Sequence, residues 1–180
     1  MKENPMQART RLAAAAACTL AIAPFGIAAV APAATTAQDA LGRLMGRWSG
    51  TGTVTPAIGP SEQFRCIVTY RPGDGKGTAA AGANHMQQNL RCSSPNYRLD
   101  AATTLRFDNG IVSGQWEERT NSLTGDVHGK VTPQGFEIFL SGRFFAARMT
   151  VAGSDCAQDV KLTPVKADQI KELSASLRKC

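Results

Sequence analysis

The fold is decided by residues 97–119, which read YRLDAATTLRFDNGIVSGQWEER. In the first half of this stretch, Leu99 and Phe107 fall on one face of an extended chain and Arg106 falls on the other. A period of two is typical of a half-buried β-strand. Asn109-Gly110 then supplies the pair of residues that best tolerates positive φ in a two-residue hairpin turn. The stretch therefore predicts two antiparallel strands joined by a tight turn.

The same pattern recurs along the chain after residue 45. Short alternating segments are bounded by Gly, Pro, Asn and Asp, and further strands are expected at residues 48–54, 61–70, 78–92, 124–131, 136–140, 144–151 and 157–163. Regularly spaced short strands predict an all-β fold, a single antiparallel β-barrel of about eight to ten strands. Residues 38–45 fit a short helix, whereas the tail at residues 170–177 fits either a helix or a strand.

The N-terminal segment has the composition of an export signal. A basic stretch with Arg9 and Arg11 precedes an Ala-rich apolar run, and small residues follow around Ala33. This order is typical of a cleaved secretory signal peptide. A permanent membrane anchor is the alternative, and Pro24 and Pro32 disfavour it because they interrupt the apolar run. We expect a signal peptide at residues 1–33, a linker or short helix at 34–45, a barrel at 46–180, and a periplasmic or secreted protein.

The net charge does not favour a nucleic-acid partner. The whole chain has 20 basic and 14 acidic side chains, a formal charge of +6. Without residues 1–33 the chain keeps 17 basic and 13 acidic side chains, a charge of +4. The remaining basic residues are scattered singly and form no stripe along the sequence. We therefore expect no nucleic acid to bind.

Four cysteines remain after the predicted signal peptide: Cys66, Cys92, Cys156 and Cys180. An even number in an exported chain indicates two disulfides, for which three pairings are possible. We favour Cys66–Cys92 and Cys156–Cys180, because sequential pairing closes two loops of modest length. A zinc site is disfavoured because the sequence has no Cys-x-x-Cys pair.

The residues with reactive side chains form no recognisable catalytic pattern. Serine-hydrolase, zinc-protease and haem-attachment motifs are missing from the sequence. Glu117 and Glu118 are neighbours on a predicted strand, so they point to opposite faces and cannot act as a pair; we expect them to be solvated or lone charges. His128 shares a face with charged residues and His85 has no ligand partner on its own face. We predict no catalytic residue, no metal site and no cofactor, which favours a function other than catalysis.

Gly46-Arg47-Trp48 resembles the Gly-x-Trp start of lipocalin-like (calycin) barrels. In that family the Trp plugs the closed end of the barrel, and a late Arg packs over its ring. The resemblance implies these structural roles for Trp48 and for Arg178. Residues 89–93, 97–100 and 110–116 also resemble a group of small uncharacterised proteins exported by proteobacteria, which implies the same compartment and a barrel fold.

The aromatic residues suggest what the barrel holds. The candidates for ligand contact are Trp116, Phe136, Phe139, Phe144 and Phe145. Their number exceeds what a filled interior of small side chains needs, so we predict a periplasmic binding barrel for a small apolar or amphipathic ligand. The alternative is an envelope interaction protein without such a ligand, for example an inhibitor of a lytic enzyme or an accessory of the cell wall or outer membrane. A ligand-sized apolar cavity would distinguish the two.

Overall fold

The computed structural model of the chain describes residues 37–73, 84–166 and 169–180. The compact unit to which they belong spans Ala34–Cys180. The predicted signal peptide at residues 1–33 lies outside the described residues, and so does the first part of the strand predicted at residues 78–92. No helix in the described part of the chain is long and apolar enough to cross a membrane.

The described residues form one short helix followed by ten strands. In chain order these are α1 Ala37–Leu44, β1 Gly46–Pro56, β2 Glu62–Pro72, β3 His85–Ser93, β4 Arg98–Asp108, β5 Ile111–Glu118, β6 Leu123–Thr132, β7 Gly135–Gly142, β8 Ala146–Gly153, β9 Ala157–Lys166 and β10 Ile170–Arg178. The all-β prediction is confirmed, at the upper end of the expected number of strands.

The strands form a closed antiparallel barrel. Each strand pairs with its neighbours in the chain, and β1 closes the barrel by pairing with β10. The tail is therefore a strand, which settles the alternative that its sequence leaves open. Leu173, Ala175 and Leu177 are all buried, because alternation along β10 turns every second side chain into the barrel.

The β4–β5 turn confirms the prediction from Asn109-Gly110. Asp108 and Ile111 are paired in register on either side of it. Asn109 has a φ of 49° and Gly110 a φ of 82°. Positive φ at both central residues characterises a type I′ turn, whose twist matches that of the flanking strands.

One end of the barrel is filled by side chains and covered by α1. The fully buried side chains at this end include those of Leu44, Trp48 and Phe136. The Trp48 indole Nε1 donates a hydrogen bond to the Leu44 carbonyl at 2.7 Å, and the Arg43 guanidinium donates one to the Pro133 carbonyl at 3.0 Å. The last carbonyls of a helix lack partners within it, so the Trp48 bond satisfies one of them. We call this end the closed end.

Both disulfides have the pairing favoured by the sequence. Cys66–Cys92 joins directly opposed residues of β2 and β3 inside the barrel. Cys156–Cys180 joins the turn between β8 and β9 to the C-terminal residue. Two disulfides fit an oxidising, extracellular compartment.

Candidate functional site: a cavity at the open end of the barrel

The end opposite α1 contains a cavity of about 390 Å³. Its walls are interior-facing side chains of β3 to β10, most of them apolar, including Leu90, Leu140, Met149 and Leu162. Small-molecule sites in proteins are concave, mostly apolar, and roughly 300–1,000 Å³ in volume. In volume and lining this cavity meets that description. We call it the open-end cavity.

Trp116 forms one wall of the open-end cavity because glycines leave space for its ring. Trp116 is in register with Gly125 on β6, and Gly125 is in register with Gly142 on β7. A Cβ atom at Gly125 would lie 2.7 Å from the indole Nε1, and one at Gly142 would lie 3.0 Å from Cζ2 of the same ring. The Nε1 donates a hydrogen bond to the Ser141 carbonyl at 3.3 Å. The ring is thus fixed by its neighbours while it borders the cavity.

The turn between β7 and β8 brings two more aromatic side chains to the mouth. The Phe145 ring meets Trp116 edge-on, with 5.6 Å between ring centroids. Phe144 lines the mouth of the cavity and is 67% exposed. The Arg143 guanidinium lies over the Phe144 ring, 4.9 Å from its centroid. An exposed phenylalanine at the rim offers apolar surface to any molecule that enters the cavity.

Glu118 is a buried carboxylate at the mouth of the open-end cavity. Its Oε1 accepts hydrogen bonds from the backbone N–H groups of Asp100 (3.2 Å) and Thr120 (2.9 Å). Its Oε2 accepts the backbone N–H (2.7 Å) and the side-chain amide (2.8 Å) of Asn121. Burial acts to raise the pKa of Glu118, but the hydrogen bonds from Thr120 and Asn121 outweigh it, and the pKa lies below the usual value. The charged carboxylate therefore holds the β5–β6 turn.

The inner limit of the cavity is polar. Gln88 lines the cavity and is only 2% exposed. Its Nε2 donates to the Tyr70 hydroxyl at 3.3 Å, and the same oxygen accepts a hydrogen bond from the Gln158 Nε2 at 3.0 Å. The Oε1 atoms of Gln88 and Gln158 are both buried without a hydrogen-bond partner in the described structure. Burial raises the pKa of Tyr70, so its phenol is neutral. We call these three residues the polar floor.

Three of the five predicted ligand residues, Trp116, Phe144 and Phe145, line the cavity. The other two do not. Phe136 is fully buried at the closed end, with its ring centroid 6.3 Å from that of Phe107. Phe139 lies on β7 between buried Ile138 and Leu140, so alternation turns it to the outer face of the barrel. A count of phenylalanines along the sequence does not separate these environments.

The structure places Trp48 where the resemblance implies, but it does not place Arg178 there. Trp48 is fully buried at the closed end, as the resemblance implies. The cation over its ring is Lys179, whose Nζ lies 4.7 Å from the ring centroid and donates to the carbonyls of Arg43 (2.7 Å) and Met45 (3.2 Å). Arg178 is exposed, because Leu177 takes the interior position on β10. The assignment to Arg178 is therefore wrong by one residue.

The expectation of solvated or lone charges does not describe Glu118, whose buried carboxylate accepts four hydrogen bonds. The two glutamates do point to opposite faces, and Glu117 is exposed beside Arg119. Glu118 shares the interior face with Trp116 because it lies two residues further along β5. Gln88 could also have been identified from the sequence, since it alternates with Met86 and Leu90 and so falls on an apolar face. A polar residue in an apolar row is the signal for both.

The histidines are separate from the cavity. His85 alternates with the buried residues of β3, and His128 is exposed on the outer face of β6. Within residues 37–73, 84–166 and 169–180, no group of three or more His, Cys, Asp or Glu side chains lies close enough to hold a metal ion.

Comparisons with known proteins support the fold. No protein-family model matches the chain, and no curated protein matches it. Among solved structures, the S-type phycobiliprotein lyase of Guillardia theta is similar with a TM-score of 0.51 and 10% sequence identity, over 76% of this chain and 88% of that one. The likeness is one of fold, which in this chain is a closed antiparallel barrel of ten strands. Similarity at this identity shows the fold alone, and the resemblance to exported proteobacterial proteins stays a prediction.

Proposed function

We propose that the protein is an exported binding protein whose barrel holds a small apolar or amphipathic ligand in the open-end cavity. The cavity itself carries this proposal. Protein interiors are close-packed, and an unfilled apolar space costs stability. A barrel that served only as a scaffold would gain stability from larger side chains at Ala101 or Leu123, both of which line the space. An apolar wall open to the outside is best explained by a molecule that enters it.

The difference between the two ends supports a single direction of entry. At the closed end, α1 and Trp48 leave the interior filled. At the open end, Phe144 exposes its ring beside the cavity. A ligand would enter past Phe144 and bury its apolar part against Trp116 and Leu140. Each methylene that leaves water on entry contributes about 0.8 kcal/mol.

Export to the periplasm or beyond is part of this proposal. The basic, apolar and small-residue order of residues 1–33 supports it from the sequence. The two disulfides support it from the structure, because they persist in oxidising compartments. N-terminal sequencing of the protein recovered from the periplasm, and of its precursor, would test this part.

A matched pair of alanines on β4 tests the binding function. Ala101 lines the open-end cavity, and Ala102 is its neighbour on the outer face of the same strand. We expect the hydrocarbon dye diphenylhexatriene to fluoresce on binding the unaltered protein. Ala101→Phe fills the space and should weaken the binding at least tenfold, whereas Ala102→Phe should leave it unchanged. If the unaltered protein binds no dye, or if both variants bind it equally well, the cavity is not a ligand site.

A second candidate function has an observation of its own. Ile58 is 93% exposed and, with Phe144 and Val165, presents apolar surface around the open end. Such a rim would suit an interaction protein of the cell envelope that carries no small ligand. In that case Ile58→Ser combined with Phe144→Ser would abolish retention by an outer-membrane fraction, and the unaltered protein would bind no diphenylhexatriene. Dye binding together with unchanged retention of the double variant would exclude it.

A further inference from the structure

We propose that the natural ligand carries an uncharged hydrogen-bonding group, of the alcohol or amide type, at the end that enters first, and that Gln88 of the polar floor binds it. This inference rests on the proposed function and specifies the chemistry of the ligand. It would make the molecule an amphipath that enters polar end first, with its apolar part toward the mouth.

The first support is an unpaired polar atom on a side chain that lines the inner limit of the cavity. Buried side-chain oxygens nearly always have a hydrogen-bond partner, so each exception needs an explanation. The Gln88 Oε1 is one of these exceptions among the described residues, on a side chain that lines the cavity and is 2% exposed. A ligand that donates a hydrogen bond to this oxygen would remove the exception.

The second support is the way in which the Gln88 amide is held. Its Nε2 is engaged by the Tyr70 hydroxyl, which also accepts a hydrogen bond from Gln158. Tyr70 thus fixes one end of the amide, and the other end has no hydrogen-bond partner among the described residues. Thr103 is in register with Gln88 on the adjacent strand and lines the same space, so a second polar side chain lies beside it. A hydroxyl group on the ligand both donates and accepts, and therefore fits either orientation of the amide.

The third support concerns charge. Of the described residues that line the cavity, Glu118 alone is charged, and its two oxygens already accept four hydrogen bonds at the mouth. A ligand carboxylate or phosphate at the polar floor would find no cation there, and burying an unpaired charge is costly. An anionic ligand would also pass the negative charge of Glu118. These conditions favour an uncharged polar group.

Two glutamines of the polar floor provide the test. Gln88 lines the cavity, whereas Gln158 makes the same kind of bond to Tyr70 from a position outside the lining. Decanol is used to displace diphenylhexatriene, which has no polar group. Gln88→Leu should weaken decanol about tenfold relative to diphenylhexatriene, the effect of one lost hydrogen bond that only the alcohol can make. Gln158→Leu should retain the affinity for decanol, and decanoate at neutral pH should bind the unaltered protein at least tenfold more weakly than decanol.

The outcomes separate this inference from the proposed function. If the unaltered protein does not bind diphenylhexatriene, the binding function itself fails. If it binds the dye, two results would refute only the inference about the polar group. One is that the Gln88→Leu and unaltered proteins have the same affinity for decanol. The other is that the unaltered protein has the same affinity for decanoate as for decanol. Gln88→Met replaces Gln88→Leu if the latter does not show a cooperative thermal transition, and the same result is expected of it.

Discussion

The two tryptophans of the chain lie at opposite ends of the barrel, and their surroundings differ in one respect. Trp48 is enclosed on every side: its Nε1 reaches the Leu44 carbonyl, and Lys179 lies over its ring. Trp116 has an equivalent hydrogen bond to the Ser141 carbonyl and an aromatic neighbour in Phe145, but its ring also borders the open-end cavity. The same residue type thus serves packing at one end and is available to a ligand at the other.

The difference between the two tryptophans shows which end of the barrel is less tightly packed. At the closed end, apolar volume is filled and α1 covers it. At the open end, Gly125 and Gly142 leave room for the Trp116 ring, and the space beyond that ring stays unfilled. Because a cavity costs stability in proportion to its volume, the unfilled end contributes less to stability than the filled one.

The largest expected effect comes from removing each indole in turn. Trp48→Ala should lower the free energy of unfolding by about 4 kcal/mol, since it leaves a closed cavity in a packed region. Trp116→Ala should cost about half as much, since it enlarges a space that already exists, and it should also weaken dye binding. Urea unfolding measures the first effect and diphenylhexatriene titration the second. Equal losses of stability would contradict the comparison between the two ends.

The disulfides provide the next comparison, because their loops are nearly equal in length. The paired cysteines are separated by 26 residues in Cys66–Cys92 and by 24 in Cys156–Cys180, so loop entropy alone assigns each about 3 kcal/mol. Cys66–Cys92 is also buried, so we expect the double Ala variant at this pair to lose more stability than the double Ala variant at the exposed pair. Chemical denaturation of both variants measures the difference. A larger loss at Cys156–Cys180 would show that the C-terminal connection matters more than interior packing.

Much of the fold follows from the sequence because strand alternation is a local property. The period of two in residues 97–107 and the Asn109-Gly110 turn predict β4, β5 and their connection without any knowledge of the remaining chain. The pairing of cysteines follows almost as directly. Barrel closure does not, because it depends on β1 meeting β10, and the tail at residues 170–177 satisfies helical and strand periods equally well.

The site is less predictable because its residues meet only in three dimensions. Trp116, Phe144 and Phe145 are found by looking for aromatic side chains, but that rule also selects Phe136 and Phe139, which lie at the closed end and on the outer face. The hydrogen bond between Tyr70 and Gln158 joins residues 88 positions apart, and no local pattern indicates it. Likewise, whether residue 178 or 179 covers Trp48 is decided by the register of the last strand.

Glu118 offers a pH-dependent test confined to the open end. Its pKa is lower in the folded protein than its usual value of 4.5, so its stabilising contribution is complete above the unfolded pKa and is lost as the pH falls through the folded pKa. Glu118→Gln should therefore lower stability at neutral pH by about 2 kcal/mol and show a smaller further loss on acidification than the unaltered protein. Thermal unfolding between neutral pH and about pH 3 measures both. Parallel pH profiles would mean that Glu118 does not hold the β5–β6 turn as a charged group.

A substitution at Gly125 tests whether the Trp116 ring keeps its position because residue 125 has no side chain. A Cβ atom there would lie 1.8 Å from the Ser141 carbonyl oxygen and 2.7 Å from the Trp116 Nε1. Gly125→Ala should therefore destabilise the protein by about 1–2 kcal/mol and change the fluorescence of Trp116, which Trp48→Phe isolates as the one remaining indole. An unchanged spectrum and unchanged stability would show that the ring has room to move.

Gly42 in α1 gives the smallest effect and the opposite sign. Apart from its chain neighbours and the backbone of α1 itself, no atom of the described residues lies within 4 Å of the position that its Cβ would occupy, and α1 keeps it in a helical conformation that alanine adopts readily. Gly42→Ala should therefore raise the free energy of unfolding by up to about 1 kcal/mol, because alanine loses less backbone freedom than glycine on folding. If α1 covers the closed end without influencing the cavity, the variant should melt at a higher temperature and bind diphenylhexatriene with unchanged affinity. A gain in stability accompanied by weaker dye binding would instead show that the closed end moves when the open end is filled.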